Sequence, residues 1–175
     1  MRLFIALDFE EGKDFFKEIQ SKIDRNLAKM TLTKTYHLTL KFLGEVDESK
    51  VNDIVNMLNQ IKFSPFSVKL NSIGVFPNVN YIRVIWSGFE KEGEIFELQQ
   101  QVDNTLLDLF PKEKEFKAHI TLARIRYVED KENLKKNIEN IKLEKKELFV
   151  KEFKLIKSNL TPEGPVYEEI SKFGA

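Results

Sequence analysis

The stretch His37-Leu38-Thr39-Leu40 decides how this sequence is organised, because the same pattern returns as His119-Ile120-Thr121-Leu122. The chain has only two histidines, and each precedes a threonine by two residues within a short apolar run typical of a β-strand. Side chains at i and i+2 of a strand point to the same face, so each histidine shares a face with its threonine. Two such strands can direct two imidazoles and two hydroxyls into one cleft.

Apolar periodicity around the motifs predicts that each half of the chain runs strand, helix, motif strand, helix, strand. The motif histidines lie 82 positions apart (119 − 37), close to half of the 175 residues. This order predicts a single domain over residues 1–175, made of two similar lobes with the motif strands side by side across a pseudo-twofold axis. Strands are predicted at about 3–7, 36–43, 65–73, 81–86, 118–125, 147–158 and 166–173, helices at about 12–30, 47–61, 91–110 and 130–141, and a tight turn at 161–165.

Composition limits the functional classes. The 28 basic and 28 acidic residues balance, so contact with nucleic acid is expected at a local patch or a strand end rather than over the whole surface. The absence of cysteine excludes disulfides and thiolate chemistry and favours a cytoplasmic location. The apolar run at 3–7 is too short for a signal peptide, and no stretch approaches the roughly 20 apolar residues of a membrane span.

The chemistry suited to two opposed histidines is general acid–base catalysis, because imidazole can give and take a proton near neutral pH. Threonine hydroxyls can donate hydrogen bonds to an anionic group held between them, and hydrolysis of a phosphate diester fits this arrangement. A zinc site is disfavoured, because neither motif contains a carboxylate and the chain has no cysteine. We therefore predict no metal. A serine triad is also disfavoured, because the sequence has no Gly-x-Ser-x-Gly turn.

The two His-x-Thr motifs and their flanking segments give the chain a resemblance to the two-histidine phosphoesterases, and in particular to the RNA 2′,3′-cyclic phosphodiesterases, also called 2′-5′ RNA ligases. The resemblance extends over essentially the whole chain. It is carried in order by Arg2–Leu7, His37–Glu45, Gly74–Pro77 with Tyr81–Trp86, His119–Arg124 and Ser158–Tyr167.

The resemblance implies an α+β, bilobal fold in which two antiparallel sheets face a central groove and helices pack outside. It implies opening of a terminal RNA 2′,3′-cyclic phosphate to a 2′-phosphomonoester without metal or cofactor, with reverse joining of ends as 2′-5′ linkages. His37 would donate a proton to the departing 3′-oxygen, His119 would activate water, and Thr39 and Thr121 would bind phosphate oxygens. The implied partners are RNA ends bearing the cyclic phosphate, tRNA fragments among them, with no membrane and no obligate protein partner.

Basic and aromatic side chains beside the motifs are further candidates. Arg124 matches the arginine after the family's second motif, although strict alternation turns it away from Thr121 unless a bulge or the end of the strand near Ala123 restores it. Lys41 shares the face of His37 by alternation and is predicted to approach the cleft. Arg83 and Arg126 are weaker phosphate-binding candidates, and Phe42, Tyr81 and Trp86 are candidates for stacking on a base.

Two alternatives to this function remain open from the sequence. One is a non-catalytic RNA-end-binding module in which the His-Thr faces cradle a phosphate; the balanced charge argues mildly against it. The other is a phosphodiesterase that acts on a small cyclic nucleotide.

Overall fold

The computed structural model describes residues 1–162 and 164–175, and in them the chain forms two antiparallel β-sheets with helices packed outside. The helices are α1 Lys13–Ser21, α2 Val51–Leu58, α3 Gly93–Thr105 and α4 Lys131–Glu139. The strands are β1 Arg2–Asp8, β2 Ala28–Leu32, β3 His37–Glu45, β4 Phe66–Asn78, β5 Tyr81–Phe89, β6 Ile120–Val128, β7 Glu147–Val150, β8 Glu152–Thr161 and β9 Gly164–Gly174. The predicted α+β fold with two antiparallel sheets is confirmed.

Each sheet takes strands from both halves of the chain. The first sheet has the order β3-β1-β8-β9, and the second has the order β2-β6-β5-β4-β7. The motif strands β3 and β6 belong to different sheets, and they contact each other where the two sheets meet. The fold therefore brings together two motifs that are far apart in sequence.

The apolar pattern explains the packing of both layers. The central strand β1 is buried from Leu3 to Leu7, as expected for a strand with apolar residues on both faces. Helix α1 buries Phe16 and Ile19 at helical spacing against the same core. The motif strands add Leu38 and Ile120, so that each histidine is anchored by an apolar neighbour.

Two predicted helices were wrong in extent. The first helix ends at Ser21 rather than near Met30, and residues 28–32 form β2 at the edge of the second sheet. Asp24 accepts a hydrogen bond from the Asn26 amide at 2.9 Å, which stabilises a turn where the apolar spacing had indicated more helix. The third helix likewise ends at Thr105 rather than near residue 110.

The predicted strand at 147–158 is two strands, because Lys151 separates β7 from β8. β7 pairs with β4 in the second sheet, whereas β8 pairs with β1 and β9 in the first. The predicted turn at 161–165 includes residue 163, which lies outside the described residues; on its two sides Thr161 pairs with Gly164. In the part of the chain that the structure describes, no helix is both long and apolar enough to cross a bilayer.

Candidate active site

A β-bulge interrupts the first motif strand directly after its threonine. β1 pairs Ala6 with Thr39 and Ile5 with Lys41, which leaves Leu40 as an extra residue on β3. Leu40 and Lys41 are consequently both buried, and the alternation of faces reverses beyond them.

The bulge shows that the prediction for Lys41 was wrong: this side chain does not share the face of His37. The Lys41 ammonium points into the core, where it lies 2.5 Å from an Asp103 carboxylate oxygen and donates to the Pro111 carbonyl at 2.6 Å. The Lys41 and Asp103 side chains are each only 1% exposed. Phe42 instead reaches the cleft, as expected after a one-residue reversal of faces.

The second motif strand has a bulge at the equivalent position. β5 pairs Trp86 with Thr121 and the residue before Trp86 with Ala123, so that Leu122 is the extra residue. This bulge turns Arg124 to the side of Thr121, and both line the same cleft. Of the two ways in which Arg124 could return to the cleft, a bulge or the end of the strand near Ala123, the structure shows the bulge.

A buried glutamine holds the second bulge. Gln20 on α1 donates from its amide nitrogen to the Leu122 carbonyl at 2.8 Å and to the Thr33 carbonyl at 2.9 Å. The Thr33 hydroxyl donates to the Thr121 carbonyl at 2.7 Å, and the Tyr36 hydroxyl donates to the Gln20 side-chain oxygen at 2.9 Å. Gln20 was not predicted as a site residue, although an amide on the apolar face of an amphipathic helix is a signal that it has a buried partner.

Residues of both sheets line one cleft of about 540 Å³. The cleft brings together His37, Thr39, Thr121 and Arg124, whereas Arg83 does not line it. Its remaining lining residues are Arg2, Leu3, Phe4, Thr31, Leu32, Thr33, Lys34, Thr35, Phe42, Ser158, Leu160, Gly164, Pro165 and Tyr167. Among the described residues, no group of three or more His, Asp or Glu side chains is placed to hold a metal ion.

His37 lies at the start of β3 between two aromatic rings and a carboxylate. The ring centroids of Phe4 and Tyr167 lie 5.9 and 5.2 Å from the His37 ring centroid, in edge-on contacts. The His37 Nε2 lies 4.0 Å from an Asp8 carboxylate oxygen, and the other Asp8 oxygen accepts from Lys154 at 2.9 Å. Burial lowers the pKa of His37 below its ordinary value of 6.5, and the Asp8 carboxylate opposes this shift.

His119 lies directly ahead of β6, beside Thr121 rather than among the side chains that bound the cleft volume. Its Nδ1 lies 2.7 Å from the Lys117 carbonyl, which can only accept, so Nδ1 donates; within residues 1–162 and 164–175 no hydrogen bond engages Nε2. Burial lowers the pKa of His119 below 6.5; the hydrogen bond to Lys117 opposes this shift, and the cationic side chains of Arg124 and Lys117 add to it.

Two aromatic residues pack against His119, just as two pack against His37. The Phe76 and Trp86 ring centroids lie 5.0 and 6.2 Å from the His119 centroid, edge-on. Trp86 is only 8% exposed and stacks on Phe76, so it packs against the histidine and does not offer a face to a base. Gly74 makes room for the indole, since a Cβ there would overlap the Trp86 ring. Apart from Trp86, these aromatic neighbours of the histidines were not predicted, because β1, β4 and β9 supply them from distant parts of the chain.

Two sheets that meet at one cleft, each contributing a His-x-Thr strand, form the arrangement expected of a two-histidine phosphoesterase. The chain belongs to the family described as "LigT like Phosphoesterase", whose model matches residues 7–86 and 89–167. The family resemblance predicted from the paired motifs is thereby confirmed.

Curated relatives match over nearly the full chain. An RNA 2′,3′-cyclic phosphodiesterase of Methanocaldococcus jannaschii is 40% identical, with 99% of this chain and 100% of the relative covered. A protein of the same name from Thermotoga maritima is 37% identical, with 96% and 92% covered. A crystal structure of a Thermus thermophilus protein superimposes with a TM-score of 0.81 at 30% identity, covering 99% of this chain and 97% of that one. The E. coli LigT complex with 3′-AMP gives a TM-score of 0.76 at 22% identity, with 99% and 97% covered, and supports the fold alone.

Proposed function

We propose that residues 1–175 form one domain that hydrolyses a terminal RNA 2′,3′-cyclic phosphate to a 2′-phosphomonoester by paired-histidine catalysis without a metal ion. The observation that carries the proposal is the convergence of Thr39, Thr121 and Arg124, from two different sheets, on the cleft that His37 lines. Two hydroxyls and a guanidinium can hold an anionic phosphate from opposite sides. The relatives named RNA 2′,3′-cyclic phosphodiesterase support this choice of substrate.

The surroundings of the histidines favour different roles for them. Against burial and the Lys154 ammonium, which both disfavour the charged imidazole, the Asp8 carboxylate favours the protonated form of His37, so His37 suits the general acid that gives its proton to the departing 3′-oxygen. Arg124 and Lys117 disfavour the protonated form of His119, and its Nε2 is free to accept. His119 therefore suits the general base, in agreement with the assignment implied by the family resemblance.

The proposed reaction forms one bond to phosphorus and breaks another. Water attacks the phosphorus while His119 takes its proton, the bond from phosphorus to the 3′-oxygen breaks, and His37 protonates that oxygen. The phosphate remains on the 2′-oxygen, and Thr39, Thr121 and Arg124 stabilise the charge on its other oxygens. A 5′-hydroxyl in place of water would leave a 2′-5′ linkage by the same bond changes, which would account for ligation.

The decisive experiment incubates the protein with an oligonucleotide ending in a 2′,3′-cyclic phosphate in excess chelator and identifies the product. We expect conversion to a 2′-phosphate that is not reduced by the chelator. Binding without turnover would favour the RNA-end-binding module, and turnover confined to a cyclic mononucleotide would favour a small-molecule phosphodiesterase. Loss of activity with chelator would contradict the metal-independent mechanism.

The pH dependence of kcat/KM tests the two histidine assignments. Because burial lowers both pKa values below 6.5, the rising limb from the base and the falling limb from the acid are both expected below pH 6.5. Asp8→Asn removes the carboxylate that raises the pKa of His37, so only the falling limb should move to lower pH. Glu11→Gln, at an exposed carboxylate that pairs with Lys151, is the matched control and should move neither limb. Movement of the rising limb alone in Asp8→Asn would reverse the two roles.

A further inference from the structure

A basic groove lies on the second sheet, outside the cleft. It has a volume of about 230 Å³, and its lining includes Tyr81, Arg83, Arg126, Tyr127 and Lys131. Three of these side chains are cationic, and no carboxylate is present among the described residues that line the groove. Positive charge is therefore concentrated here, in a chain whose 28 basic and 28 acidic residues balance.

The two arginines of the groove keep most of their hydrogen-bond donors available. One Arg83 nitrogen donates to the Arg126 carbonyl at 3.1 Å, which fixes the guanidinium across the neighbouring strands β5 and β6. Within residues 1–162 and 164–175, neither Arg83 nor Arg126 forms an ion pair with a carboxylate. A planar guanidinium with free N–H groups suits phosphate oxygens.

Exposed aromatic faces accompany these cations. Tyr81 and Tyr127 are 61% and 59% exposed, and the Arg83 guanidinium lies 5.6 Å from the Tyr81 ring centroid. Arginines interleaved with aromatic side chains are typical of surfaces that bind single-stranded nucleic acid, where the rings stack on bases and the cations bind the backbone. An acidic peptide would use the cations but would gain little from two flat rings.

The groove lies next to the cleft along β6. Arg124 lines the cleft, and Arg126, two residues further along the strand, lines the groove. Two residues of a β-strand span about 7 Å. An RNA chain whose terminal phosphate lies at Arg124 can therefore place its preceding backbone phosphates at Arg83 and Arg126, whereas a cyclic mononucleotide has no further phosphate to offer them.

We infer, on the basis of the proposed function, that this groove binds the single-stranded RNA on the 5′ side of the terminal cyclic phosphate. The chain is thus built to prefer oligonucleotide ends over cyclic mononucleotides. Arg83 and Arg126 contact the RNA backbone, and Tyr81 and Tyr127 stack on its bases.

The test compares the double variant Arg83→Ala/Arg126→Ala with the wild-type chain. Binding of a single-stranded RNA decanucleotide with a 3′-phosphate is followed by fluorescence anisotropy over a range of salt concentrations. Loss of two backbone contacts should reduce the slope of log K against log salt by about 1.4 and weaken binding about 25-fold at 0.1 M salt. The control Lys17→Ala/Lys62→Ala removes the same charge at exposed residues that line neither the cleft nor the groove, and should leave the slope unchanged.

Steady-state kinetics with two substrates provide the second part of the test. The double variant should have a raised KM for a decanucleotide 2′,3′-cyclic phosphate and unchanged kinetics with a mononucleotide 2′,3′-cyclic phosphate. An unchanged salt slope, equal losses on both substrates, or equal competition by a decaglutamate peptide would overturn the inference. If the wild-type chain hydrolyses neither substrate but the variant still reduces the salt slope, the proposed function fails and the RNA-binding groove stands.

Discussion

Replacing either His37 or His119 by alanine is expected to lower kcat toward an RNA 2′,3′-cyclic phosphate by about 10²- to 10⁴-fold. Each substitution removes one of the two proton transfers in the proposed reaction. KM should change much less, because Thr39, Thr121 and Arg124 remain to hold the phosphate. Steady-state kinetics give both constants, and thermal unfolding of each variant shows whether the fold is retained.

A substrate with a better leaving group separates the two roles. The leaving phenolate of bis(4-nitrophenyl) phosphate departs without a proton, so the general acid contributes little to its cleavage. With this substrate, the defect of His37→Ala should shrink strongly while that of His119→Ala persists. Equal defects of the two variants on both substrates would contradict the assignment of His37 as acid and His119 as base.

The sequence was sufficient to predict which side chains carry the candidate chemistry. Two His-x-Thr strands, one in each half of the chain, predicted a shared cleft because strand alternation places i and i+2 on one face. The structure places His37, Thr39 and Thr121 accordingly, with His119 just outside the cleft volume. Short-range alternation is reliable here because each motif spans only three residues before the bulge.

Alternation failed immediately beyond that distance, and it failed in the same way in both motifs. Each bulge inserts one residue after the threonine, which turns Lys41 into the core and Arg124 toward the cleft. The bulge depends on partners far along the chain, such as Gln20, whose amide holds the carbonyl of Leu122. Local periodicity contains no information about such partners.

The end of the first helix shows the same limit. Ile23 and Leu27 continue the apolar spacing of α1, yet the segment that follows joins the second sheet as β2. Pairing with β6, about 100 residues away in sequence, outweighs a weak local preference for helix. Because β2 was not predicted, Thr31 and Thr33 were not predicted to line the cleft.

The ion pair between Lys41 and Asp103 should be the most sensitive point of the fold to single substitution. Asp103 accepts hydrogen bonds from Lys41 at 2.5 Å, from Gln99 at 2.8 Å and from the Glu113 amide at 3.1 Å. Lys41→Met leaves the buried carboxylate without its cation, which should reduce the free energy of unfolding by about 3–5 kcal/mol. Chemical denaturation measures this loss, and Lys17→Met at an exposed lysine is the control, for which little change is expected.

The pair also gives stability a defined pH dependence. Burial acts to raise the pKa of Asp103, but the hydrogen bonds from Lys41, Gln99 and the Glu113 amide outweigh it and hold this pKa below 3.8. A carboxyl whose pKa is lowered by folding stabilises the protein above its unfolded pKa, and this contribution is lost as pH falls through the folded value. Asp103→Asn should therefore flatten the loss of stability below about pH 4.

Replacing both partners distinguishes a structural lysine from a substrate-binding one. In Lys41→Met/Asp103→Leu no charge is left buried, so the free energy of unfolding should recover much of what Lys41→Met loses. Because Lys41 points away from the cleft, the double variant should have KM and kcat values close to those of the wild-type chain. If the double variant regains stability but has a raised KM, Lys41 contacts the substrate and its assignment to the core is wrong.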